Sequence, residues 1–152
     1  MLYLLISLAV LLIAGLSYYA GTLLWRVKEQ EKTQAAEKAK RINYITDSIC
    51  HIAKAVQAEQ CEYSEGVLRI WVLLEHYNKE QASPKDYQQL YPGYAALYSE
   101  IKDMPTHEAR KKVSKKELLK LDLDRMEAEQ KHTEQIVADT NQIVIEFTPT
   151  NN

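Results

Sequence analysis

The sequence predicts an all-α protein with one N-terminal transmembrane helix, a charged helical stalk and a small helical bundle. The first observation is an uncharged segment at the start, since all 19 basic and 21 acidic residues follow Trp25. The second is composition, because Gly and Pro number only four each while Ala, Leu, Glu, Lys and Gln are abundant. This composition favours helices and disfavours a sandwich or barrel with many turns.

The first predicted element, residues 1–25, is a transmembrane helix. The uncharged run covers residues 2–25, and a helix of that length, at about 1.5 Å per residue, exceeds a hydrocarbon core of roughly 30 Å. Aromatic rings gather at its C-terminal end, and basic side chains follow them, as is typical of a membrane interface. The predicted membrane-interface residues are Tyr18, Tyr19, Trp25, Arg26 and Lys28.

A cleaved signal peptide and a buried core helix both fit the apolar segment less well than a membrane span. A signal peptide begins with basic residues and has small residues before the cut, but no Lys or Arg precedes Arg26, and Tyr18 lies three positions before a cut after Ala20. A helix buried in a soluble core rarely runs this long without a charge.

The flanking charges predict the orientation of the span. Residues 26–41 carry six basic and three acidic side chains, a net charge of +3, whereas the N-terminal flank has only its α-amino group. Lys and Arg near a span bias that end toward the cytoplasm. We therefore expect the N-terminus outside and residues 26–152 in the cytoplasm, where Cys50 and Cys61 would be reduced thiols.

The predicted bundle covers residues 42–142 and contains four to five helices. Its first helix has an apolar seam with spacings of 3, 4, 3 and 4 residues. The seam residues are Ile42, Ile45, Ile49, Ile52 and Val56. The same positions in residues 26–41 are charged or Ala, which indicates a solvated stalk.

Turn and capping signals place the later elements. Ser83 and Pro84 predict a helix start, and the residue before Pro92 resists helical geometry. The predicted helices cover residues 64–77, 84–91, 94–103 and, as one long helix, 107–141. Residues 143–152 form a predicted tail, in which the apolar, β-prone run 143–147 can dock on the bundle or attract a partner.

The long C-terminal helix has a charge gradient. Residues 108–120 carry a net charge of +4, and residues 121–152 carry −5. The candidate partner or lipid contacts are the basic residues Arg110, Lys111, Lys112, Lys115, Lys116 and Lys120. A solvated face, the anionic inner leaflet, another protein and antiparallel self-association are the alternatives. The acidic second half and the net charge of −2 disfavour nucleic acid.

Four tyrosines at spacings of 4, 3 and 4 form an aromatic stripe, namely Tyr87, Tyr91, Tyr94 and Tyr98. Such rings can stack on a ligand. With apolar residues between them, we expect them instead to cover the core, with their hydroxyls at its rim.

Few residues suggest chemistry. A polar cluster of Cys61, Glu62, Glu65 and His107 is the alternative site, for a metal or for hydrolysis, and Glu129 with His132 makes one Glu-x-x-His. The chain has no Gly-rich phosphate loop or other catalytic motif. No cofactor, metal or small-molecule substrate is predicted.

Two stretches of the chain resemble a bacterial, proteobacterial family of short single-span membrane proteins, a domain family of unknown function. They are residues 60–77 and the spacing Leu90-Tyr91, Leu97-Tyr98, Pro105-Thr106-His107, Arg110-Lys111, Asp122, Asp124-Arg125 and Glu127. The resemblance implies an inner-membrane location with a helical cytoplasmic domain, and it implies no activity. We therefore expect a non-enzymatic, membrane-anchored scaffold that tethers a cytoplasmic partner at the bacterial inner membrane.

Overall fold

The protein is described from a computed structural model, which describes residues 1–105 and 107–149. These residues are all-α and contain no strand, which confirms the predicted class. The helices are α1 (Leu2–Gln57), α2 (Tyr63–Glu80), α3 (Tyr87–Leu90), α4 (Pro92–Ile101), α5 (His107–Lys111) and α6 (Lys115–Phe147). The chain divides into two compact units, Met1–Arg41 and Ile42–Asn152.

The first unit is the N-terminal part of α1. It contains no proline to interrupt the helix, and within the described residues α1 is the one helix that is long and apolar enough to cross a membrane. The apolar side chains that are described in residues 10–20 are not covered by the protein, as in Leu16, which is 68% exposed. All side chains of residues 26–41 are exposed as well, since a charged helical face is stable in water.

In the second unit, α1 ends in a Schellman motif. The backbone N–H of Gln60 donates to the Ala55 carbonyl at 2.9 Å, and that of Glu59 donates to the Val56 carbonyl at 3.1 Å. This pattern requires a left-handed residue, and Glu59 supplies it with φ 55°. The motif turns the chain into α2, which begins at Tyr63.

The core of the second unit is built by α1, α2, α3, α4 and α6. Four of the five predicted seam positions of α1 face it: Ile45, Ile49 and Val56 are buried, and Ile52 is half-buried against the core cluster. The large, fully buried side chains of α2, α4, α6 and the residue between α3 and α4 include Ile70, Leu74, Tyr91, Tyr94, Leu97, Ile136 and Ile143. Burying each side chain of this size contributes about 1.5–3 kcal/mol.

Two acidic side chains of α6 cap other helices. The N-caps of α2 and α4 have no side-chain hydrogen bond of their own. Asp139 Oδ2 instead accepts from the backbone N–H groups of Gly93 at 2.7 Å and Tyr94 at 3.0 Å. Glu129 Oε1 accepts from the N–H of Ser64 at 2.9 Å. Because helix N-termini have unsatisfied donors, these bonds attach α2 and α4 to α6.

Gly93 permits the close approach of α4 to α6. A Cβ atom built at Gly93 would lie 2.7 Å from the carbonyl carbon of Gln135 and 2.8 Å from the N atom of Ile136. Both are backbone atoms of α6, which cannot rotate away. A glycine is therefore needed where the two helices cross.

The prediction of one long helix over residues 107–141 is wrong in two respects. It is divided into α5 and α6, because Ser114 leaves the helical conformation and caps α6 in a capping box with Glu117. It also continues past the predicted end to Phe147. The β-prone run 143–147 is helical because its spacing buries Ile143 and Phe147 against the core, and tertiary packing overrides local propensity.

Two other details differ from the prediction. The helix predicted from Ser83 begins only at Tyr87, and Asp86 caps it by accepting from the Gln88 N–H at 3.0 Å. The rings of the tyrosine stripe lie in the core, as predicted, but the hydroxyls of Tyr87 and Tyr94 are buried rather than at its rim, and Tyr94 Oη lies 3.0 Å from Thr140 Oγ1. Tyr87, Tyr91 and Tyr94 are buried. The ring of the half-buried Tyr98 stacks on that of Trp71, with 5.3 Å between the ring centroids.

Candidate functional site

A cleft of about 460 Å³ opens in the second unit among α2, the C-terminal end of α4, α5 and α6. Its lining is partly apolar and partly charged. The apolar lining residues are Leu68, Ile101, Met104, Pro105 and Leu121. The polar lining residues are Glu62, Ser64, Glu65, Arg69, Arg110 and Arg125. We call this site the arginine cleft.

Ion pairs orient the three arginines. Arg110 Nη2 donates to both carboxylate oxygens of Asp122, at 2.7 and 2.6 Å, and Arg125 Nη2 lies 3.4 Å from the same group. The hydrogen bonds from Arg110, supported by Arg125, hold the pKa of Asp122 below its usual value. Arg69 pairs with Glu65 at 2.5 Å on α2. Two arginines share one carboxylate, so Arg110, Arg125 and Asp122 together carry one excess positive charge.

The structure brings together only part of the predicted polar cluster. Glu62 and Glu65 line the arginine cleft. Cys61 lies instead in a neighbouring cavity with Glu59, Tyr63 and Glu129. The side chain of His107 is outside the described residues. Glu62 lines both cavities, whereas Cys61 and Glu65 do not share one, so the described members of the cluster do not line a single site.

The Cys61 thiol is poorly suited to nucleophilic or ligand chemistry. Its pKa is raised, first by burial and then by the negative charges of Glu65 and Glu62, which outweigh the opposing effect of Arg69. The thiolate is the reactive and metal-binding form. A raised pKa therefore keeps Cys61 protonated at neutral pH.

The two residues of the Glu-x-x-His pair, Glu129 and His132, contact different helices. Glu129 caps α2, and His132 Nε2 lies 3.0 Å from Glu100 Oε1, which also accepts from Lys131 Nζ at 2.8 Å. These hydrogen bonds hold the pKa of Glu100 below its ordinary value. Among the described residues no group of three or more His, Cys, Asp or Glu side chains could hold a metal ion.

The predicted basic residues lie on α5, on α6 and in the connection between them. Arg110 turns toward Asp122 in the cleft, and Lys111 ends α5. Lys112 lies in the connection between α5 and α6. The remaining three, Lys115, Lys116 and Lys120, are exposed on the first two turns of α6.

The predicted membrane-interface residues all lie on α1 in the first unit. The aromatic rings are uncovered, with Tyr18 78%, Tyr19 65% and Trp25 68% exposed. Arg26 and Lys28, which follow Trp25 by one and three residues, are exposed as well.

Sequence reasoning missed most of the cleft. Arg69 lies four residues after Glu65, and Arg125 lies three residues after Asp122, so each ion pair had a local signal in the sequence. The apolar lining had none, because Leu68, Met104 and Leu121 come from segments that are distant in sequence. Only tertiary packing brings these side chains together.

The fold and the cleft define an all-α protein with a helix able to span a membrane and an open cleft of mixed charge. A family model described as protein of unknown function (DUF2489) matches residues 13–143. The chain therefore belongs to the DUF2489 family, which confirms the predicted resemblance to a bacterial family of unknown function.

One curated relative is similar over most of the chain. It is an uncharacterised protein of Haemophilus influenzae, 39% identical over 129 residues, which cover 85% of this chain and 84% of the relative. No solved structure matches the chain. The comparisons thus give a family and attribute no activity to it.

Proposed function

We propose that the protein is a membrane-anchored interaction module, which tethers a cytoplasmic partner at the bacterial inner membrane through the arginine cleft. The observation that carries the proposal is the cleft itself, which combines an apolar lining with oriented arginines at the surface of the helical unit. Pockets of this kind bind an apolar group and fix its orientation with a few polar contacts.

The uncovered apolar surface of α1 supports the anchor. A helix in a soluble core would bury such side chains, but Leu12, Ile13 and Leu16 are 60 to 68% exposed. Exposing a long apolar helix to water is unfavourable, whereas a bilayer solvates it. The positive stretch 26–41 supports a cytoplasmic location of the residues after it.

The charges of the cleft indicate the chemistry of the partner. The excess positive charge beside Asp122 favours an acidic group on the α5 and α6 side. Leu68, Met104 and Leu121 are half-buried, so they offer apolar surface to an inserted side chain. We infer a partner segment with an apolar side chain next to a carboxylate.

Anchoring reduces the affinity that such a site needs. An anchored module and a partner at the same membrane meet at a high effective concentration. A cleft of this size can then recruit its partner through a modest interface. The alternative metal-binding or hydrolytic domain gains no specific support, because Cys61 and Glu65 line separate cavities.

Site-specific photo-cross-linking tests the proposal in the native membrane. A photoreactive amino acid in place of Met104, inside the cleft, is expected to give one dominant cross-linked protein. The same residue in place of Val72, which is 44% exposed on α2 and outside the cleft, is expected to give little of that product.

A charge placed inside the cleft provides the matched control. Leu121→Asp is expected to lower the yield of the Met104 product several-fold, and Val72→Asp is expected to leave it unchanged. Circular dichroism of each variant separates lost binding from lost folding. Equal products from positions 104 and 72, or none at 104, would refute a partner-binding cleft.

A further inference from the structure

The outer side of α6 carries an apolar stripe that the second unit leaves uncovered. Leu119, Leu123 and Met126 are 62%, 56% and 61% exposed, and their spacing of four and three residues places them on one face of the helix. The stripe continues in register through Gln130 and Thr133 to Val137, which is 41% exposed. We call this face the outer seam.

The outer seam is distinct from the arginine cleft. Leu121 and Arg125 line the cleft, and at 3.6 residues per turn they lie on the opposite side of α6 from Leu119 and Leu123. The seam has the alternating 3 and 4 spacing of a coiled-coil contact. It needs a second helix with the same periodicity to cover it.

We propose that a second copy of this chain covers the outer seam, with the two α6 helices paired antiparallel. Charge complementarity selects this occupant. Lys115, Lys116 and Lys120 surround the first half of the seam, and Glu127 and Glu134 flank its second half. Antiparallel pairing places the basic half of each copy against the acidic half of the other, whereas parallel pairing would align like charges.

The apolar residues and the flanking charges together set the register of the pair. Leu123 of one copy faces Met126 of the other in both directions, and Leu119 faces Gln130. The flanking positions then place Lys120 beside Glu127 of the second copy, twice per dimer, as same-side positions do in antiparallel coiled coils. Lys120 and Glu127 make no ion pair within the described part of the chain, so both are available for this contact.

An anionic membrane surface fits the same face less well. It would attract the lysines of the first half but repel Glu127 and Glu134. Apolar residues of the seam, however, also lie beside these acids, namely Met126 and Val137. A second copy covers Leu119, Leu123 and Met126 of the seam, whereas Val137 lies beyond the paired segment, since its counterpart in this register would precede α6. The inference goes beyond the proposed function, since the pairing requires neither the cleft nor its partner.

Disulfide trapping in native membranes tests the pairing and its direction. In a Cys61→Ser background, in which the remaining native thiol, Cys50, is buried, co-expressed Leu119→Cys and Gln130→Cys chains are expected to form a disulfide-linked dimer on oxidation. Leu119→Cys alone is expected to give little, because antiparallel pairing separates the two copies of residue 119 by about 16 Å.

Charge reversal provides a second, independent measurement. Lys120→Glu is expected to weaken dimerisation of the full-length protein in detergent several-fold by light scattering, and Lys120→Glu combined with Glu127→Lys is expected to restore it. Lys79→Glu, the same change on exposed α2 surface, is the control. A disulfide of Leu119→Cys with itself would overturn the antiparallel direction, and a monomer in membranes and detergent would overturn the dimer. Release from anionic vesicles by Lys120→Glu, without any dimer, would assign the face to lipid.

Discussion

At the scale of single residues, buried Asp139 connects two helices through one carboxylate. It is 2% exposed and accepts from two backbone N–H groups of α4 and from Gln135 Nε2 at 3.4 Å. Burial raises its pKa above the ordinary 3.8, and the hydrogen bonds from Tyr94, Gln135 and Gly93 only partly oppose this effect. The buried carboxylate therefore loses favourable hydration, while its oxygen atoms accept hydrogen bonds from the backbone N–H groups at the N-terminus of α4.

This raised pKa predicts a pH dependence of stability. Between 3.8 and the raised pKa the folded state holds more protons than the unfolded state, so the contribution of Asp139 falls as pH rises through that interval. Asp139→Asn keeps an acceptor but does not titrate. The free energy of unfolding of this variant, relative to the unaltered protein, is expected to increase as pH rises from 3.8.

Urea unfolding followed by circular dichroism at a series of pH values measures this difference. Asp124→Asn is the matched control, since Asp124 is exposed on the same helix. A relative stability that stays constant or falls with rising pH would contradict the sign. Sequence reasoning did not single out Asp139, because an isolated Asp in a charged helix gives no sign that another helix ends against it.

At the scale of elements, helix ends depend on capping that the sequence shows unevenly. The capping box at Ser114 and Glu117 has a recognisable signature, although the prediction of one long helix overlooked it. The end of α1 has no such signature. Its left-handed position is occupied by Glu59 rather than by glycine, and left-handed geometry in a non-glycine residue costs about 1 kcal/mol.

Glu59→Gly is therefore expected to stabilise the second unit by about 1 kcal/mol, because glycine adopts φ 55° without a Cβ clash. Thermal unfolding of the full chain in detergent measures the effect. Glu59→Ala keeps the Cβ atom and removes only the charge, so it separates backbone strain from electrostatics. If the Ala variant is as stable as the Gly variant, backbone strain at this position is not the cause.

At the scale of the whole molecule, the predictable features are those that depend on neighbours in sequence. The apolar run and the heptad seam of α1 are patterns among neighbouring residues. Together with the helix-rich composition, they predict the helical class. The cleft and the capping of α2 and α4 by α6 depend on contacts between distant segments, such as Glu129 with Ser64. No periodic pattern encodes such contacts, which is why the cleft was only partly predicted.

The proposed anchor and its orientation also belong to this scale, since the orientation depends on how the charges of 26–41 compare with the uncharged N-terminal flank. If the positive flank lies in the cytoplasm, a cysteine after it reacts with a membrane-impermeant thiol reagent only when the cells are permeabilised. Ala82→Cys, at an exposed position of the second unit, is expected to behave in this way in the Cys61→Ser background.

Tyr3→Cys provides the reciprocal measurement, because Tyr3 is 86% exposed near the other end of the apolar segment. It is expected to react in intact cells. The opposite pattern would place the helical unit outside the cytoplasm and would exclude a cytoplasmic partner for the arginine cleft. Reaction of neither position before permeabilisation, together with release of the chain from membranes by alkaline carbonate, would exclude the span itself. The labelling pattern therefore tests the orientation, and the carbonate extraction tests the anchoring. Neither result depends on the identity of the partner.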